Sequence, residues 1–99
     1  MATILDVLDA AAEEARAAAV WYARRNLAAA VAFEIELSRA FGEIAAAPGI
    51  WPVHLEGTRR LLLDRFPYEV VFRVGEARVL VVAIAHCKRQ PGYWRDRAG

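Results

Sequence analysis

The 99-residue sequence holds a single cysteine, Cys87, so no intramolecular disulfide can form. That excludes a disulfide-stapled scaffold and fits a reducing compartment. Only His54 and His86 supply imidazoles. Two imidazoles and one thiol fall short of the ligand sets that hold structural or catalytic metals, so neither a metal nor another cofactor is expected. Long hydrophobic runs are missing too. VLVVAIA at 79–85, which no other apolar run exceeds in length, is far from the ~20 residues a spanning helix needs. The N-terminus lacks a basic segment, and Asp6, Asp9, Glu13 and Glu14 interrupt its apolar residues, so no secretory signal is expected. A soluble, cytoplasmic protein without membrane contact is the expectation.

What is present suits one domain spanning 1–99. Hydrophobic residues make up 58% of the chain, but many are alanines, which bury little area each. A chain of this size buries roughly 60–65% of its unfolded surface, so the core is modest and a bound partner would add to its stability by mass action. The net charge of +1 is unevenly spread. Residues 1–50 carry four Arg against seven acids, a net −3, and residues 51–99 carry nine Lys or Arg against five acids, a net +4. The C-terminal half is therefore the expected place for an anion or an acidic partner, against the plainer reading of a solvated basic surface.

Residues 3–8, TILDVL, read either as a short strand or as the first turn of the helix that follows. DAAAEEARAAAVWYARR, 9–25, is helical on alanine propensity, with Asp9 as expected N-cap and Ala11, Ala15, Ala18 and Tyr22 as the inward stripe. Asn26 is the expected break, because Asn tolerates the left-handed conformation at a helix end. A second helix over 27–46 carries Ala30, Phe33, Leu37, Phe41 and Ile44 at steps of three or four. Glu36 with Arg39, and Arg39 with Glu43, are spaced to pair on its wet face. Pro48 and Gly49 end it. APGIWPVHLEGT is a loop in which Trp51 and His54 have no assignable role. RRLLLD, YEVVFRV and RVLVVAIAH follow as strands, divided by a turn at Arg65–Phe66–Pro67 and a hairpin at Gly75–Glu76–Ala77. The third is apolar on both faces, as a central strand would be. The order of helix, helix and three strands predicts an α+β fold, with an antiparallel helical hairpin packed on one face of a C-terminal antiparallel sheet.

Trp21–Tyr22, Phe33, Leu37, Ala40, Ile44, Pro48, Arg59–Arg60, RFPY at 65–68, Arg73, AIAH at 83–86, Arg89, Pro91, Tyr93–Trp94 and Arg97 form an ordered set. With it the chain resembles the ParE branch of the RelE/ParE toxin superfamily, the plasmid stabilisation toxins, over residues 9–97. The resemblance implies a bacterial type II toxin held off by a cognate antitoxin, in a toxin–antitoxin hetero-oligomer. It implies growth inhibition by binding a macromolecular target, DNA gyrase, and it favours a strand at 3–8. Relatives often carry Pro-Gly in the hairpin turn, where this chain has Asn26–Leu27–Ala28. The alternative the superfamily offers is a RelE-like endoribonuclease that cuts mRNA on the ribosome. A third reading is a toxin that has lost activity and persists as an antitoxin-binding module.

Cutting RNA at a 2′-hydroxyl needs a base, cations on the phosphate and an acid for the leaving oxygen. The RelE branch has an arginine directly after the tyrosine of the middle strand, and here that position is Glu69. Its two alternating lysines on the preceding strand correspond to Arg60 and Leu62. Arg89 does match the arginine after the last strand, and Tyr93 lies near the place of a functional tyrosine. His86, Arg89 and Tyr93 are thus the only catalytic candidates, and binding is expected over catalysis. By the alternation of Leu80, Val82 and Ile84, His86 ends one apolar face of its strand, as an acid–base group or as a residue that orders the C-terminus. Cys87 is read as a small buried side chain, not a nucleophile. Arg59, Arg60, Arg65, Arg73, Lys88, Arg89 and Tyr93 are candidates for contact with antitoxin or target. The plainer alternative pairs Arg73 with Glu69 on one strand face. Trp94 is expected to pack on the core, Tyr93 either to pack or to stack on a base, and Trp21 and Tyr22 to join the hairpin to the sheet.

Overall fold

The computed structural model describes residues 3–97. The elements run β1 (Ile4–Val7), α1 (Asp9–Ala23), α2 (Leu27–Ala46), two 3-10 turns at Pro48–Ile50 and Leu55–Gly57, β2 (Arg59–Leu62), β3 (Tyr68–Val74) and β4 (Arg78–His86). The sheet order is β1-β4-β3-β2. β2, β3 and β4 are antiparallel, as expected, and β1 adds parallel to β4. The sheet is therefore mixed, and β4, apolar on both faces, lies in its interior.

Both helix junctions differ from the sequence reading in detail. α1 has no side-chain cap: Leu8 holds the N-cap position, and Asp9 is the first helical residue, placed to favour the dipole. Asn26 does not end α1 in the left-handed conformation. Its backbone is extended (φ −162°), and its Oδ1 accepts from the N–H groups of Ala28 at 2.9 Å and Ala29 at 3.4 Å. It is the N-cap of α2. That dispenses with the Pro-Gly turn.

The hairpin covers one sheet face. Phe33, Leu37 and Ile44 of α2 and Ala11 and Ala18 of α1 bury against Leu61, Val70, Phe72, Val79, Val81 and Ile84. The opposite face is covered by the chain beyond β4, which folds back and buries Trp94 (2% exposed) against Val71, Val82, Ala83 and Ala85. One residue decides which side chains go where. Val71 pairs with Ala83 but Phe72 pairs with Val81, so Val82 is an extra residue in β4. A bulge of this kind reverses the alternation beyond it. Val79, Val81, Ile84 and His86 consequently share the helix face, while Leu80, Val82, Ala83 and Ala85 share the other. The sequence alternation placed His86 with Leu80 and Val82, and the bulge moves it across the sheet.

Two further expectations fail. Glu36 is not on the wet face with Arg39. It is 8% exposed, and accepts hydrogen bonds from the backbone N–H groups of Asp64 and Arg65 and from Arg65 Nε. Trp21 is 51% exposed and does not join hairpin to sheet. Tyr22 does, stacking against Phe33 and Phe66 at 5.5 and 5.0 Å. No helix among the described residues is long and apolar enough to cross a membrane.

Candidate functional site

β4 outruns its parallel neighbour. β1 ends its pairing at Val81, where the Leu8 N–H donates to the Val81 carbonyl at 3.0 Å. β4 continues to His86, then breaks into turns: the Cys87 N–H donates to Pro67 O at 2.8 Å, Arg89 N–H to His86 O at 2.9 Å, and Arg95 N–H to Gly92 O at 3.0 Å. Gly92 has φ +76°, and the Arg95 guanidinium lies over it, so that a Cβ there would sit 2.7 Å from Arg95 Nη2. This route carries Cys87 out to solvent, against the expectation that it is buried. The partial burial its thiol keeps within this exposed residue and the Glu69 charge push its pKa up, against the opposing pull of Arg60, so the thiolate that a nucleophile requires is disfavoured.

Two clefts meet at this exit, and both are lined by His86 and Arg89. The one on the helix side, about 470 Å³, is walled by Trp21, Tyr22, Pro67 and Tyr68. The one on the opposite side, about 410 Å³, is walled by Arg60, Glu69, Tyr93 and Trp94. Of the residues singled out from the sequence, the second cleft gathers Arg60, His86, Arg89 and Tyr93, and the chain excludes Arg59, Arg65 and Arg73 from it. Arg59 donates to the Trp51 carbonyl, Arg65 pairs with Glu36 at 3.4 Å, and Arg73 donates to the Glu56 carbonyl at 2.7 Å. Arg73 therefore does not pair with Glu69. Glu69 takes Arg60 instead, at 3.1 Å across the β2–β3 pair.

His86, Tyr93 and Glu14 are also committed. His86 Nδ1 accepts the Lys88 N–H at 3.0 Å, which engages that nitrogen's lone pair and leaves Nε2 as the ring's unengaged nitrogen. The ring stacks edge-on against Tyr68, 5.0 Å between centroids. The Tyr93 hydroxyl donates to Glu14 Oε2 at 2.5 Å. Its pKa is pushed far up, first by burial and then by the hydrogen bond and charge of Glu14, so it stays protonated. Arg97 binds both Glu14 oxygens, at 2.8 and 2.9 Å. Burial pushes the Glu14 carboxyl up, but hydrogen bonds from Arg97, Tyr93 and the Ile84 N–H, with the Arg97 charge, outweigh that and hold it below the ordinary range. Among the described residues, neither Lys88 nor Arg89 has a carboxylate partner. The Arg89 guanidinium lies 3.8 Å from the centroid of the Tyr93 ring, a cation–π contact.

Sequence reasoning missed Glu14 and Glu36 as structural acids, although a signal existed. Glu14 falls between Ala11 and Ala18 on the inward stripe of α1, and Glu36 between Phe33 and Ala40 on that of α2. An acid at a core position of a helix needs a partner from elsewhere in the fold.

A mixed sheet with a hairpin on one face and a folded-back C-terminal segment on the other can be set beside known proteins. The model of the ParE toxin of the type II toxin–antitoxin system parDE matches residues 5–91. The chain belongs to the ParE toxin family. Among solved structures, the chromosomal ParDE TA system from P. aeruginosa contains a chain similar to this one, with TM-score 0.75, 19% identity, 85% of this chain covered and 95% of that one. At that identity the likeness supports the ParE fold and no more. No curated protein matches this chain in sequence.

Proposed function

We propose that this ParE-family chain arrests bacterial growth by binding a macromolecular target in the cytoplasm, DNA gyrase, without cutting nucleic acid, and that a cognate antitoxin neutralises it in a hetero-oligomer. The observation that carries the reading is the Arg60–Glu69 ion pair at 3.1 Å. It puts a carboxylate at the position where the RelE branch has an arginine, and it engages Arg60, the one cation retained from that branch's lysine pair. The Tyr93 hydroxyl is engaged as a donor to Glu14, and the His86 Nδ1 lone pair is engaged by the Lys88 N–H, so neither presents a free lone pair to take a proton from a 2′-hydroxyl. What remains is Arg89 on an aromatic support beside two clefts, the type of anchor that dominates protein–protein binding. An antitoxin partner is supported by the apolar ridge along the outer side of α2, where Leu27, Val31 and Ile35 are 70%, 50% and 54% exposed.

The test is gyrase supercoiling in vitro with purified toxin, beside primer extension on transcripts from cells expressing it, each with Arg89→Ala as control. Loss of supercoiling with intact transcripts is expected. Codon-positioned cuts that vanish in the Arg89→Ala strain would overturn the reading in favour of ribosome-dependent mRNA cleavage.

A further inference from the structure

We infer that Glu14 is a positioning residue: with Tyr93 and Arg97 it latches the C-terminal segment 87–97 to the open edge of β4, and so fixes Arg89 at the mouth of the two clefts. The inference rests on the binding role proposed above for Arg89. Beyond Val81, β4 has no strand on the β1 side among the described residues. Unpaired backbone groups in a packed interior are costly, and they are normally satisfied. Here two side chains replace the missing strand. The Ile84 N–H donates to Glu14 Oε1 at 3.0 Å, and the Val82 carbonyl accepts from Arg97 Nη1 at 3.0 Å. Glu14 and Arg97 are in turn joined by a fork of two hydrogen bonds, the geometry that fixes orientation as well as distance.

The latch reaches Arg89 through Tyr93. The Tyr93 hydroxyl ends on Glu14, and its ring carries the Arg89 guanidinium at 3.8 Å, with the Arg97 guanidinium 5.2 Å from the same ring. Arg89 itself has no carboxylate to hold it among the described residues. Its position is thus inherited from a helix residue 75 places earlier in the chain. Losing the fork frees Tyr93 to turn, and the guanidinium loses its support while keeping its charge.

The experiment measures growth arrest against inducer level in cells expressing the chain alone, for Glu14→Gln, Tyr93→Phe, Arg89→Ala, and the Glu14→Gln/Arg89→Ala pair. This readout is independent of which target is hit. Ile44→Val is the control for a general loss of stability, since Ile44 is buried in the helix-face core away from the exit. Misplacement of an anchoring group costs roughly 10- to 100-fold in potency. Glu14→Gln is expected to lose that much, Tyr93→Phe a smaller share, and Ile44→Val little. In the Arg89→Ala background, Glu14→Gln is expected to add nothing, because it acts through Arg89. Limited trypsin digestion after Lys88 and Arg89 should accelerate in Glu14→Gln, and Tyr93→Phe covers the case in which Glu14→Gln does not fold. Full potency of Glu14→Gln beside an inert Arg89→Ala overturns the latch and leaves the role of Arg89 standing. Equal losses in both backgrounds, or an equal loss in Ile44→Val, also overturn it, as the signature of stability alone. Full potency of Arg89→Ala overturns the role of Arg89 and the latch together.

Discussion

Removing the Glu36 carboxylate should cost more than removing the arginine it pairs with, and the reason lies in what the carboxylate touches. Glu36 is buried, and Oε1 accepts from the backbone N–H groups of Asp64 at 2.5 Å and Arg65 at 3.1 Å. Those amides belong to the turn that delivers Phe66 into contact with Tyr22 and Phe33. The Arg65 side chain is 69% exposed, so its ion pair is worth at most about 1 kcal/mol. Hydrogen bonds to a charged group are worth about 1.5–3 kcal/mol each. Glu36→Ala, which strands both amides, should therefore cost about 3 kcal/mol. Glu36→Gln keeps an acceptor oxygen and should cost about 1 kcal/mol, and Arg65→Ala no more than about 0.5 kcal/mol. In a domain of this size the first corresponds to a drop in Tm of roughly 12–24 °C. The carboxyl is pushed up by burial, but the Arg65 and Asp64 amides and the Arg65 side chain outweigh this and hold it below the ordinary range. A depressed carboxylate contributes stability that is fully present above its unfolded pKa, about 4.3, and is lost as pH falls through the lower folded value. The wild-type curve should thus fall in acid, and that of Glu36→Gln should fall less, with Glu14 supplying the slope that remains. Urea unfolding followed by tryptophan fluorescence between pH 3 and 7 measures all of this. An Arg65→Ala variant as unstable as Glu36→Ala would refute the reasoning, since the ion pair and not the amides would then be carrying the energy.

Asn26→Ala should lose about 1 kcal/mol and Asn26→Gly only a few tenths, because Asn26 acts as an N-cap in extended conformation; equal losses in denaturant titration would contradict this. Trp94→Ala should cost about 3–5 kcal/mol, because Trp94 is the side chain that seals the second sheet face, and a loss under about 1 kcal/mol would show that the segment 87–97 contributes little to the fold.

The hydrophobic pattern was enough to place β2, β3, β4 and the hairpin, whereas it left β1 open between a strand and a helical turn. β3 alternates, β4 is apolar throughout, and α2 carries its stripe at helical spacing, and each of these signals lies within one element. The signals that failed depend on a second element. A bulge is visible only in the pairing of Val71 and Phe72 with Ala83 and Val81, so nothing in RVLVVAIAH shows that His86 changes face. Glu14 lies 83 residues from its partner Arg97 and Glu36 29 residues from Arg65, beyond the reach of any local pairing rule. Glu69 illustrates the same point at short range. Along a strand, four residues span about 13 Å, too far for Arg73 to be its natural partner, whereas Arg60 is its diagonal neighbour across the pair with β2.

The charge asymmetry between the two halves takes on a different meaning once the pairs are known. Arg60, Arg65, Arg78 and Arg97 all face carboxylates, and Asp6, Glu14 and Glu36 come from the acidic half. Much of the excess positive charge of residues 51–99 is therefore consumed in holding helices and β1 to the sheet. Arg59 and Arg73 end on backbone carbonyls. At the exit of β4, Lys88, Arg89 and Arg95 remain without carboxylate partners among the described residues. Nucleic-acid binding draws its affinity from the number of phosphates neutralised at once, with 6–10 contacts common in strong binders. A cluster of this size is poorly suited to that mode. It is well suited to a protein surface, where one guanidinium fixed on an aromatic ring beside an apolar cleft can supply a large part of the binding energy. The charges that drew attention in the sequence mostly build the fold, and the few left over sit where β4 outruns β1.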